Sequence, residues 1–148
     1  MFERGTDGPL VVLAGVDGSP SSMRAAAYAA GLARRQRSLL VLVYVQPGRP
    51  PVGTAMFAGY LAGLGDEIAA ELQAEITQAA AATRDVFHVR YEFVVRRGDA
   101  FAQLSAAAHE LKADAVVVGA SESVGHRFAG SLANRLIRAG HWPVTVVP

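Results

Sequence analysis

A chain of 148 residues, 51% hydrophobic and 18% charged, has the composition of one globular domain and excludes a disordered polypeptide. Lys+Arg 14 against Asp+Glu 13 leaves a net charge of +1, so the overall balance selects neither nucleic acid nor an anionic membrane. With no cysteine, disulfides, thiolate catalysis and thiolate metal sites are excluded, and a reduced, cytoplasmic setting is expected.

Residues 1–9 read as a short disordered leader without a signal-peptide core, and residues 10–148 as a single domain. Leu10–Val16 is an apolar run that ends in Asp17-Gly18-Ser19-Pro20. A helix over Ser21–Arg35 follows, with Met23, Ala26, Ala27 and Ala30 on one face. Ser19 or Ser21 can cap it, and Pro20 suits its first turn. Leu39–Val45 is strand-sized and apolar on both faces, as a strand covered on both sides must be. Pro47–Gly63 reads as a long loop, with room for a partial helical turn at Ala55–Tyr60. Leu64–Thr83 is the second helix, with Ile68, Leu72, Ile76, Ala79 and Thr83 on one side.

Phe87–Arg97 alternates apolar and polar residues, which marks a half-exposed strand at a sheet edge. Asp99 is placed to cap a third helix whose inner face is Phe101, Leu104, Ala108 and Leu111. Asp114–Val118 is a fourth strand, ending at Gly119. Gly130 and Ser131 open a fourth helix with Leu132, Leu136 and Ile137 inward; Gly140 ends it, and Pro143–Val147 is the fifth strand. The order β-α-β-α-β-α-β-α-β predicts an α/β fold: a doubly wound five-stranded parallel sheet with helices on both faces. With the third strand at an edge, the order becomes 3-2-1-4-5. Asp17 and Gly119 then share the crevice at the carboxyl ends of strands 1 and 4, where such folds bind ligands.

The Val16–Ser22 opening, the Val116–Gly119 strand end, the Gly130-Ser131 helix start and the Trp142–Pro148 finish resemble the universal stress protein family, over roughly Leu10 to Pro148. Members that bind ATP carry Gly-x2-Gly-x9-Gly-(Ser/Thr) after the fourth strand. The resemblance implies that Gly119 is the first glycine of that pattern and Gly130-Ser131 the final pair. It also implies Asp17, with Gly18 and Ser19 beside it, at the ribose or adenine, and the Val45 backbone at the adenine. ATP, with Mg accompanying it, is the cofactor so implied. A homodimer paired through Val144–Val147 is the implied assembly.

Two departures bear on this. Glu122 occupies the second glycine position, and the spacing from Gly119 to Gly130 is two residues shorter than the family pattern. A carboxylate beside a triphosphate is repelled by roughly 1 kcal/mol per close pair at a solvated site. Gly125 can take over part of the turn, and His126 and Arg127 can offset part of the charge. Two functions follow: a homodimeric stress-response protein that acts through a protein partner with weakened or lost ATP binding, or an ATP-binding sensor.

Each residue also has a plainer role. Asp17 can form an Asx turn, Ser131 can simply cap its helix, and Arg34, Arg35 and Arg37 suit the negative end of the first helix. Arg90, Arg96 and Arg97 read as a solvated edge, and Trp142 as packing at a sheet end or dimer seam. His88, His109, His126 and His141 are not at metal-ligand spacing, and neither a Ser-His-Asp arrangement nor a Walker P-loop is present.

Overall fold

The computed structural model describes residues 8–48, 55–120 and 130–148. Nine elements follow in order: β1 (Val11–Gly15), α1 (Pro20–Gln36), β2 (Leu39–Gln46), α2 (Ala55–Thr83), β3 (Tyr91–Arg97), α3 (Ala100–Glu110), β4 (Ala115–Gly119), α4 (Ser131–Ala139) and β5 (Val144–Val147). The strands form one parallel sheet in the order β3-β2-β1-β4-β5. That is the predicted doubly wound arrangement, with β1 and β4 side by side.

Strand alternation feeds two cores. Val12, Ala14, Leu40, Leu42 and Tyr44 point to one face, where Ala25, Ala29 and Ala33 of α1 and Leu72 and Ile76 of α2 cover them. Leu13, Val41, Val43, Val116 and Val118 point to the other, under Leu104, Ala107 and Ala108 of α3 and Leu136 of α4. Each fully buried leucine or valine contributes about 1.5–3 kcal/mol, so the central strands are anchored from both sides. No helix among the described residues is long and apolar enough to cross a membrane.

Several local readings need correction. The segment read as loop up to Gly63 is already helical from Ala55. Gly59, Gly63 and Gly65 argue against a helix in sequence. Gly65, however, is set against the β2 side chain of Gln46, where an added Cβ would lie 3.2 Å from its amide carbon. Residues 49–54 of the expected loop lie outside the described residues. Among the described side chains of α2 the buried positions are Gly65, Ala69, Leu72 and Ile76, while Ile68, Ala79 and Thr83 are exposed. On α1 the buried row is Ala25, Ala29 and Ala33, and Ala27 faces solvent. An alanine-rich helix offers too little contrast between faces to fix its rotation in sequence. On α4 Ala133 and Leu136 are inward, but Ile137 is 51% exposed.

The third strand begins at Tyr91, four residues later than predicted. The cause is register. β2 starts at Leu39, Leu40 pairs with Tyr91, and the Leu40 N–H donates to the Arg90 carbonyl at 2.9 Å. Residues ahead of Arg90 have no strand to pair with. Phe87 lies instead under the Arg34 guanidinium, whose central carbon is 4.4 Å from the ring centroid. At the other edge of the sheet Trp142 is half-buried and its ring meets those of His109 and His141.

Candidate functional site

The carboxyl ends of β1 and β4 adjoin a hollow of about 290 Å3. Three chain segments meet there because of how each helix begins. After β1 the chain turns through Asp17, whose Oδ1 accepts the Ser19 N–H at 2.9 Å. This Asx turn brings Ser19 into position as N-cap of α1, and Ser19 Oγ accepts the Ser22 N–H at 3.2 Å. Of the two predicted caps, Ser19 therefore takes the role. Ser21 is buried, and its hydroxyl donates to the Ala120 carbonyl at 2.7 Å, tying α1 to the end of β4. Asp99 Oδ2 accepts the Ala102 N–H at 2.9 Å and so starts α3 beside the same hollow, which Ala100 lines.

The fourth helix begins differently. Its N-cap is Gly130, which has no side chain with which to cap it. The first N–H groups of an α-helix have no partner within the helix. Here the residues that carry them, Ser131, Leu132 and Ala133, line the hollow. The helix dipole adds a partial positive charge at that end.

Of the residues predicted from sequence, Asp17, Ser19, Val45, Gly119, Gly130 and Ser131 all line this one hollow. Gly18 does not. It sits in the turn at φ +85°, a conformation that favours glycine, with Leu72 as its nearest side chain. Glu122, Gly125, His126 and Arg127 fall in 121–129, outside the described residues.

Sequence reasoning passed over Val43, Leu104 and Val118, which form the apolar wall, and Ser21 and Ser22 at the rim. The walls are core positions first, and no local pattern separates a core leucine from one that also faces a cavity. Gly119 also proves to have a steric role. A Cβ there would lie 2.6 Å from the Ser21 carbonyl carbon and 2.7 Å from the Ser22 nitrogen. The close packing of α1 on the tip of β4 thus requires glycine whatever else the position does.

The electrostatics of the rim centre on Asp17. Partial burial raises its pKa, but hydrogen bonds from Ser19 and Ser22 outweigh that and leave it below the ordinary 3.8. The carboxylate is therefore charged at neutral pH. Its Oδ1 serves the Asx turn. Burial, and then the Asp17 charge, raise the pKa of the Tyr44 phenol. Among the described residues no group of three or more metal-ligating side chains occurs.

A doubly wound parallel sheet with a hollow at its switch point, lined by the first turn of α4, places this chain among the α/β domains that bind ligands at the carboxyl ends of their strands. The family model of the universal stress proteins matches residues 11–148, and the chain belongs to that family. Solved structures agree on the fold. UspA from Lactobacillus plantarum superposes with a TM-score of 0.79 at 22% identity, over 93% of this chain and 97% of that one. A universal stress protein in complex with cAMP gives 0.61 at 22% identity, over 94% and 96% of the two chains. One from Archaeoglobus fulgidus in complex with dAMP gives 0.55 at 23% identity, over 93% and 96%. Comparison with curated protein sequences yields no significant match.

Proposed function

We propose that this universal stress protein binds an adenine nucleotide in the hollow between β1 and β4, and that the monophosphate part supplies most of the affinity. The observation that carries the reading is the glycine-capped N-terminus of α4 lining the same hollow as Asp17. A nucleotide has the matching chemistry. Its ribose hydroxyls donate to a carboxylate, its base suits the apolar wall, and its phosphate suits the first N–H groups of a helix. The hollow, at about 290 Å3, is at the small end of ligand sites, which favours a nucleoside monophosphate over a fully enclosed triphosphate. Glu122 and the short Gly119–Gly130 spacing weaken the outer phosphate cradle. Complexes with cAMP and dAMP among the structural relatives support the same class of ligand. ATP, with Mg brought by its phosphates, is the weaker ligand in this reading.

Calorimetry with AMP, cAMP and Mg-ATP tests it. AMP or cAMP is expected to bind at least as tightly as ATP, and Asp17→Ala to weaken AMP about tenfold, the loss of a charge-assisted hydrogen bond. No heat with any of the three at millimolar concentration would sink the proposal.

A second feature supports a homodimer. β5 pairs only with β4 among the described strands, and all four of its residues remain partly exposed at the sheet edge. An open apolar edge strand is an association hazard unless covered, and a second copy paired along Val144–Val147 would cover it. Light scattering at micromolar concentration is expected to give twice the monomer mass. A monomer there would remove this part of the proposal.

A further inference from the structure

The net charge of +1 conceals an uneven distribution. Two basic segments that are far apart in sequence meet at the end of the molecule opposite the hollow: the C-terminus of α1 and the connection from α2 to β3. Arg34 lies over the Phe87 ring at 4.4 Å, and Arg90 Nη2 donates to the Arg37 carbonyl at 3.3 Å. Arg84 is on the same connection, and all four arginines are exposed. Beside them Val86 is 73% and Phe87 42% exposed. Asp85 is the one acid of these two segments, and none of the four arginines makes an ion pair among the described residues. The C-terminal ends of helices favour cations, which accounts for Arg34 and Arg37 at the end of α1 and for Arg84 at the end of α2. It does not account for Arg90, or for the gathering of these ends around an exposed valine and phenylalanine.

We propose that this patch docks a short acidic protein segment that carries an apolar side chain between its carboxylates. Arginine forks match carboxylates in two-point geometry, and two of these are already held in place, by an aromatic face and by a carbonyl. Less ordering is therefore lost on binding. Val86 and Phe87 supply the contact for the apolar residue. Extended polyanions fit less well. Glu75 lies nine residues before Arg84, about 13 Å along the helix, with Glu71 and Glu67 beyond it. A membrane surface or a nucleic acid that spread past the patch would meet those carboxylates, whereas a peptide of a few residues stays within it. The proposal does not depend on nucleotide binding.

The probe is a fluorescein-labelled ten-residue peptide with aspartates and glutamates around one leucine and one phenylalanine, titrated with the full chain at low salt. Saturable binding is expected, lost when the acids are replaced by their amides and weakened by salt. The double variant Arg34→Gln/Arg90→Gln should weaken it about tenfold. Arg138→Gln, an equal charge change per site on α4, should move it less than about twofold. Val86→Ser should weaken binding without changing its salt dependence, and thermal melts verify that each variant is folded. No binding at millimolar peptide, an equal loss in Arg138→Gln, or tighter binding to phosphatidylglycerol vesicles or polyuridylate at matched charge would each overturn the proposal.

Discussion

Gly119→Ala should melt about 2–12 °C below the parent protein, with no nucleotide present. The added Cβ would sit 2.6–2.8 Å from three backbone atoms of Ser21 and Ser22. Backbone cannot rotate out of the way as a side-chain tip can. Either α1 shifts away from β4 or the strand end bends, and such overpacking costs about 1–3 kcal/mol. For a domain of this size each kcal/mol moves the midpoint by about 2–4 °C. The shift would also stretch the Ser21 hydroxyl contact to Ala120, so the rim of the hollow loosens together with the core. Gly63→Ala is the matched control. It is helical and a Cβ there meets nothing within 4 Å, so alanine should stabilise by about 0.5–1 kcal/mol. Equal midpoints for Gly119→Ala and parent would mean that α1 does not press on β4, and that glycine stands there for a ligand alone.

Gly119 also shows how far the sequence could be read. Strand order and the meeting of Asp17 with Gly119 were legible because alternation of apolar runs with helical segments admits few right-handed topologies. The alternation over Phe87–Arg97 then pointed to that strand as an edge. What was not legible is pairwise packing. Nothing local says that Gly119 faces Ser21, about a hundred residues earlier. The start of α2 was hidden because Gly59, Gly63 and Gly65 weaken a helix in any local count, and the reason for one of them, Gln46, lies on β2. The first four residues of the expected third strand were lost to register with β2. The rotation of α1 and α4 was misjudged where small residues or a second apolar residue blur the inner face.

The same ambiguity appears at Leu104, which was read as a core position and also lines the hollow. It is 1% exposed, packed with Leu13, Val41 and Val43 under α3. Leu104→Ala should cost about 3 kcal/mol, from lost transfer energy and the cavity left behind. Leu136→Ala should cost a similar amount, since Leu136 is fully buried on the same face. Leu136, however, does not line the hollow. The two variants therefore separate stability from binding. If the adenosine part of a nucleotide occupies the hollow, Leu104→Ala weakens AMP several-fold because the wall it contacts recedes, whereas Leu136→Ala leaves the affinity near that of the parent. Ile137→Ala, at a half-exposed position, should cost less than about 0.5 kcal/mol and change neither quantity. Urea denaturation gives the stabilities, and calorimetry on the folded variants gives the affinities. Equal loss of AMP binding in both leucine variants would mean that binding follows general stability, and the hollow would lose its claim to be the site.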